Sequence, residues 1–382
     1  MLLRSITLKN LLSFKEAAFE EVQPLNVLIG PNGSGKSNLI EAIGLLQAAP
    51  VDLNGSVTRG GGVREWIWKG ESATSPVAAI ECTVIQEPDS TYIYRLEFSE
   101  QAQGLFVQKE LFRDAFPGPQ QQPSVYFDRT GENVSFPLQS GSGRVAGQES
   151  VLRSYRSPVD PTPISRLGRE FEHLRIYHDF QTGPRSQARW GIAPGAVKQY
   201  LEDGGANLAA VLHEMQFTGS LDRVVAYMRE FCERYRAVRV REDGGVFRAY
   251  VVEDGISDPV PAIRLSDGTL KLLCLLTILL NEKVPPLVCI EEPELGLHPD
   301  AVRLVARAIV EASQKTQLIV TTHSENLVDE LSDCPESVVV CEYDPGSGTR
   351  FERLSKERLE GWLARYSLGE IWRKGEIGGN RW

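Results

Sequence analysis

No run of 18 apolar residues occurs in this sequence, which excludes a membrane-spanning helix. The opening Met-Leu-Leu-Arg-Ser-Ile-Thr-Leu-Lys alternates like a strand and lacks the apolar stretch of a secretory signal. Cys-x-x-Cys pairs are missing too. The six cysteines, at positions 82, 232, 274, 289, 334 and 341, are scattered. That spacing argues against a disulfide framework or zinc site and for a reducing, cytoplasmic setting. Cys274 and Cys289 lie in apolar stretches and read as small core residues. There is no basic excess: the net charge is −10. A nucleic-acid contact would therefore have to come from a local patch rather than from the chain as a whole. Sustained heptads are absent between 150 and 265, as are internal repeats, so neither a coiled-coil arm nor a solenoid is expected.

What the chain has is a set of phosphate-binding and carboxylate-bearing segments. With 382 residues, 42% of them hydrophobic, it is long enough for more than one domain around a substantial core. Residues 30 to 38 read Gly-Pro-Asn-Gly-Ser-Gly-Lys-Ser-Asn and fit the phosphate-loop pattern at Gly30, Gly35, Lys36 and Ser37. The apolar run 25–29 before it reads as a buried strand, and 38–46 after it has helical spacing. After Pro31, backbone N–H groups of residues 32 to 37, from Asn32, Gly33, Ser34 and Gly35 to Lys36 and Ser37, can wrap phosphates only where bulky side chains are absent, and the helix N-terminus adds its positive end. Lys36 would reach the β- and γ-phosphates of ATP, with the Ser37 hydroxyl on Mg²⁺. Asn38 opens the helix.

Three later segments complete a candidate site. Residues 287–290 are apolar and run into Glu291-Glu-Pro-Glu294. Glu291 stands where a metal-holding acid belongs, and Glu292 where a carboxylate can polarise the attacking water. Residues 318–324 repeat the design and end in Thr321, Thr322 and His323, at the edge where parallel sheets bind ligands. A histidine there can bond the γ-phosphate or its water. Leu265-Ser-Asp-Gly268 precedes a long apolar helix, and Ser266 and Gly268 form a second helix N-terminus suited to phosphate.

Elsewhere, 1–9 and 16–22 read as strands, and 77–137 as an antiparallel meander with turn signals such as Glu87-Pro-Asp-Ser90. The Pro/Gly/Gln/Ser-rich stretches 114–123 and 137–150 read as mobile loops. Helical spacing runs from about 164 to 235, and a hairpin joined through Asp243-Gly-Gly245 follows. Helix and strand alternate after 265 as in a parallel α/β sheet. The stretch 151–200 is the candidate nucleic-acid patch. It holds Arg153, Arg156, Arg166, Arg169, Arg175, Arg185, Arg189 and Lys198 against four acids, interleaved with Tyr155, Tyr177 and Trp190.

These segments resemble the ABC-type ATPase heads of the SMC/RecF class. The carriers are Ile6-Thr-Leu-Lys-Asn-Leu-Leu-Ser-Phe14, the phosphate loop with Glu41-Ala-Ile43, and Leu265-Ser-Asp-Gly268. The last is similar to an ABC signature with Asp267 in place of the first glycine. Glu291-Glu-Pro-Glu-Leu-Gly-Leu-His-Pro299 looks like a Walker B strand with its D-loop, Glu291 standing where many relatives have Asp. The tail from Ser367 to Trp382 is similar to that of the stand-alone, RecF-related AAA_21 group. The resemblance implies an α/β ABC-type head with a mixed, partly parallel sheet core, an antiparallel meander and a helical insertion lobe. Its expected divisions are 1–150, 151–235 and 236–382. It also implies ATP and Mg²⁺ as cofactors, Lys36, Glu292 and His323 as the catalytic set, and an ATP-dependent homodimer in which Ser266 acts in trans. Gln86 is a candidate Q-loop glutamine, and Arg59 a candidate nucleotide-facing arginine. Partners by the same analogy are double-stranded DNA, in repair or defence, or else a separate effector protein such as a nuclease or toxin. The segment after His323 is too short for the nuclease fused to OLD-type ATPases.

Overall fold

The computed structural model describes residues 2–70, 77–87, 90–116, 122–155 and 162–379. Arg156, the middle of the turn at 87–90 and the last three residues of the tail lie outside them. The chain divides into two compact units. The first comprises Met1–Leu174, Val339–Arg353 and Gly378–Trp382. The second comprises Arg175–Val338 and Leu354–Ile377.

The first unit is built on an antiparallel sheet. The strand Leu3–Leu11 pairs with Phe14–Phe19 on one side and with Ala78–Glu87 on the other. Beyond Ala78–Glu87, the strands Ser90–Gln101, Gly104–Asp114, Val125–Thr130, Asn133–Phe136 and Gly141–Arg144 follow as a meander. On the opposite flank the hairpin of Val338–Asp344 and Gly348–Arg353 carries the sheet to Leu25–Ile29. All five residues of Leu25–Ile29 are buried, as in a strand covered on both faces, and the one polar member, Asn26, bonds the backbone of Gln23. The helix Lys36–Ala48 leaves directly from the phosphate loop.

One expectation fails here. The stretch 137–150 is not a loose loop: it contributes the strand Gly141–Arg144 and is tied down by a buried ion pair. Arg129, with a fully buried side chain, lies 3.5 Å from Glu110. It donates to the carbonyls of Gly131, Ala146 and Glu149. Glu110 accepts from Ser150 Oγ (2.6 Å), Val151 N–H (2.9 Å) and the Tyr94 hydroxyl (2.9 Å). A buried charge pair costs free energy unless its remaining donors and acceptors are satisfied. The carbonyls of 146–149 supply what Arg129 needs, and composition alone does not show that.

The second unit carries three parallel strands, Arg175–Tyr177, Leu287–Glu291 and Gln317–Thr321. The helices Asp267–Leu279 and Pro299–Ala312 follow the alternation expected after residue 265. A separate sheet is made by Tyr235–Asp243, Val246–Glu253 and Val260–Pro261. Its two-residue turn, Gly244-Gly245, has positive φ at both positions (62° and 79°), which glycine adopts without strain. Helical spacing overreaches between 164 and 235. Helices occupy Pro163–Glu172, Leu208–Thr218 and Ser220–Phe231. Between them lie the strand Arg175–Tyr177 and 3-10 turns at Gln187–Arg189 and Asp203–Gly205. Among the described residues no helix is long and apolar enough to cross a membrane. All six cysteines are free, with Cys274 and Cys289 fully buried.

Candidate active site

In the first unit the phosphate loop is shaped by glycine. Gly30 has φ 148°, and a Cβ there would sit 2.3 Å from the Cys341 carbonyl oxygen. Gly35 has φ 96°, and its Cβ would fall 2.2 Å from Thr349 Oγ1. Neither position admits a side chain without moving backbone or neighbours. Gly33, φ 79°, faces open space. Pro31 accepts from the Ser34 N–H at 3.2 Å, closing the turn, while Asn32 and Gly33 are exposed at its tip. Ser34 Oγ is buried without a hydrogen-bond partner. Lys36 is buried at 6% exposure, and its Nζ donates to the carbonyls of Gly30 (2.8 Å) and Pro31 (3.0 Å). The ammonium is thus held at the mouth of its own loop. Ser37 is exposed in the first helical turn, and Asn38 is half-buried beside it.

In the second unit the parallel register places the acids beside the histidine. Glu291 pairs with Thr321, so Glu292 lies level with Thr322. Glu292 has φ 41°, a left-handed backbone unusual for a residue with a Cβ. Its N–H donates to the Thr321 carbonyl (3.0 Å) and to Thr321 Oγ1 (3.2 Å), which hold the bend. Its Oε1 lies 3.6 Å from His323 Nε2, and both side chains keep about a third of their surface in solvent. Sequence reasoning missed the organiser of this pair, Glu294. Glu294 Oε1 accepts from His323 N–H (2.7 Å) and Thr322 Oγ1 (2.8 Å), while its Oε2 is buried without a partner. Burial pushes the Glu294 carboxyl up, against the pull of the His323 and Thr322 bonds.

Ser266 caps the helix Asp267–Leu279: its Oγ accepts from the Thr269 N–H (3.1 Å) and donates to Thr269 Oγ1 (2.8 Å). A Cβ on Gly268 would lie 3.3 Å from the Gly296 carbonyl, so the start of this helix closely approaches the turn after Glu294. The departure at Asp267 has a local reason. Asp267 pairs with Arg189, whose guanidinium is buried and also donates to the carbonyls of Ala262 (3.1 Å), Ile263 (3.4 Å) and Leu265 (2.7 Å). Arg189 therefore ties together the turn that leads into this helix. One turn further along the helix, Lys271 is 5% exposed, and burial lowers its pKa against the opposing carboxylates of Asp179, Glu294 and Glu292.

Three other sequence candidates fare differently. Gln86 Nε2 donates to the Pro163 carbonyl (3.2 Å), which commits it to the start of a neighbouring helix. Arg59 ends the helix Leu53–Arg59 within 3.9 Å of Asp52, its side chain largely in solvent. The basic stretch 151–200 does not behave as one patch. Arg189 and Tyr177 are buried, the latter bonding the Leu201 carbonyl. Arg153 pairs with Glu149, Arg175 lies over the Tyr200 ring, and Lys198 over Phe247. The stretch also divides between the two units at residues 174 and 175. Spacing in the sequence could not separate these structural arginines from surface ones.

A family model described as "AAA domain, putative AbiEii toxin, Type IV TA system" (AAA_21) matches residues 25–329. Among curated proteins, the chain is 31% identical over 115 residues to the chromosome partition protein Smc of Mycolicibacterium paratuberculosis, covering 30% of this chain and 9% of that protein. It is 37% identical over 81 residues to the DNA replication and repair protein RecF of Gloeobacter violaceus, covering 21% of this chain and 20% of that one. The chain thus spans a small fraction of the length of the curated relatives it matches. Among solved structures, an Smc head bound to the C-terminal winged-helix domain of ScpA superposes with a TM-score of 0.57 at 15% identity, covering 94% of this chain and 99% of the other. The SMC head domain from Thermotoga maritima gives 0.51 at 16%, covering 93% and 100%. These likenesses show the fold, an SMC-type α/β ATPase head.

Proposed function

The chain belongs to the AAA_21 family, and from that premise we propose that it binds Mg-ATP, hydrolyses it, and closes on it as a pair of identical copies. The observation that carries the reading is the arrangement at the two strand ends: Glu292 and His323 face each other at 3.6 Å, with Glu294 fixing the histidine's backbone. In this reading the glycine-shaped loop from Gly30 to Ser37 cradles the phosphates through its N–H groups. Lys36 exchanges the two loop carbonyls for phosphate oxygens. Glu292, about a third in solvent, accepts a proton from the attacking water. His323 donates toward the γ-phosphate.

Ser37 and Glu291 offer hard oxygen donors at a helix start and a strand end, and Mg²⁺ takes few protein ligands when phosphates supply the rest. Those two would hold it, and it would neutralise charge on the β- and γ-phosphates. In this reading Ser266 serves the nucleotide of the partner copy. A symmetric dimer then has two equivalent sites. ATP makes the closed state favourable through contacts that vanish with the γ-phosphate.

We place the clamp's work on DNA, since the Smc and RecF proteins it is similar to carry chromosome partition, replication and repair in their names. The family description, with its toxin and type IV toxin–antitoxin terms, favours a second reading: an ATP-driven switch governing a separate effector. Titration of a fluorescent ATP analogue with Mg²⁺ tests the site. The parent protein should bind, and Lys36→Ala should lose that affinity. Equal binding by the variant would remove the cradle from the account.

A further inference from the structure

We infer that the solvent face of the hairpin Tyr235–Asp243 and Val246–Glu253 is a contact for the phosphate backbone of duplex DNA, with Arg239, Arg241 and Arg248 as its anions' partners. The inference rests on the DNA reading above and gives it a location that the 151–200 stretch does not.

The face follows from register. Val238, Phe247, Ala249 and Val251 are buried, so the alternating positions Arg239, Arg241, Arg248 and Tyr250 point the other way. All three arginines are exposed. Arg239 pairs across the strands with Tyr250, and Arg241 directly with Arg248. Like charges directly opposite on a sheet are destabilising. Asp243, at the turn, lies 3.7 Å from Arg248 with most of its side chain in solvent, and is the only carboxylate on this face of the two strands. Arg241 stacks over the Tyr250 ring at 5.6 Å. The neighbouring arginines of the strand are spent differently. Arg236 is paired with Asp254 and Arg234 lies near Glu253. In a chain of net charge −10, three guanidiniums sharing one carboxylate, two of them directly opposed across the strands, call for an anionic partner.

The spacing favours nucleic acid over an acidic peptide. Residues two apart on a strand are about 7 Å apart, and directly opposed Cα atoms about 5 Å. Three forked donors carried at this backbone spacing suit the closely spaced, fixed charges of a duplex backbone. The non-charged members of the face are Ala237, Val246, Val252 and the arginine-covered Tyr250, too few for the apolar pockets that would select side chains of a peptide.

The test uses a fluorescein-labelled 30-base-pair DNA duplex and the Glu292→Gln protein held in ATP, at about 50 and 200 mM salt. The Arg239→Gln/Arg241→Gln/Arg248→Gln triple change in that background should weaken binding at least about tenfold and flatten the salt slope by roughly two to three. ATP affinity should be unchanged, and the melting temperature unchanged or higher, because the opposed Arg241–Arg248 pair is gone. Equal DNA affinity and slope with and without the triple change would overturn this face while leaving the DNA reading standing. No binding by the Glu292→Gln protein at either salt would overturn both. Binding of a labelled polyglutamate peptide, lost in the triple variant, by a protein that ignores DNA would overturn the nucleic-acid assignment in favour of an acidic protein.

Discussion

Glu294 is the residue on which the two strand ends depend. One carboxylate oxygen takes both the Thr322 hydroxyl and the His323 N–H, and the other stays buried and unbonded. Replacing it by Ala should free the histidine's backbone and leave the buried Thr322 hydroxyl without its acceptor, costing about 1–3 kcal/mol of local stability. We expect turnover to fall with little change in nucleotide affinity, because Glu294 acts through His323; an unchanged kcat would show that His323 needs no such anchor. Glu292→Gln should retain ATP and turn over about 10²-fold more slowly or worse, as for a lost general base; single-turnover hydrolysis at the parent rate would show the residue miscast. The placement of Glu292 and His323 at neighbouring strand ends was legible because apolar runs ending in Glu-Glu or Thr-Thr-His mark strand tips. The supporting residues, Glu294, Lys271 and Arg189, were not. Their roles depend on which carbonyl or carboxylate lies across a gap of tens of residues.

Periodicity read the elements well where a single face is buried, as in the meander and in the glycine-turned hairpin at 244–245. It failed at 137–150, where order comes from the buried Arg129–Glu110 pair rather than from apolar residues. Removing one member leaves an uncompensated charge, so Arg129→Ala should destabilise the first unit by about 3–5 kcal/mol, measured by denaturant unfolding. A loss under about 1 kcal/mol would mean the segment is held by other contacts.

The helix Pro163–Glu172 carries a pH dependence of its own. Burial pushes the Glu170 carboxyl up to about 7, with Gln86 and the arginines at 166 and 169 pulling the other way. A carboxyl whose pKa is raised by folding favours the folded state while protonated. That contribution is complete below the unfolded value near 4.5 and is lost as pH rises through about 7. The melting temperature should therefore fall between about pH 4.5 and 7, and Glu170→Gln should flatten that fall. A parallel decline in parent and variant would assign the pH dependence to other groups.

At the scale of the whole molecule, the sequence motifs and the fold agree on an SMC-type head, and family membership over residues 25–329 adds the expectation of ATP chemistry. The central claim is that each nucleotide is served by two copies of the chain, the phosphate loop of one and Ser266 of the other. The direct measurement is ATP hydrolysis by Lys36→Ala, by Ser266→Arg, and by an equimolar mixture of the two. Each variant alone should be inactive. The mixture should recover about a quarter of the parent rate, because half of randomly assorted pairs are mixed and each mixed pair holds one intact site of two. A mixture as inactive as its components would contradict the shared site.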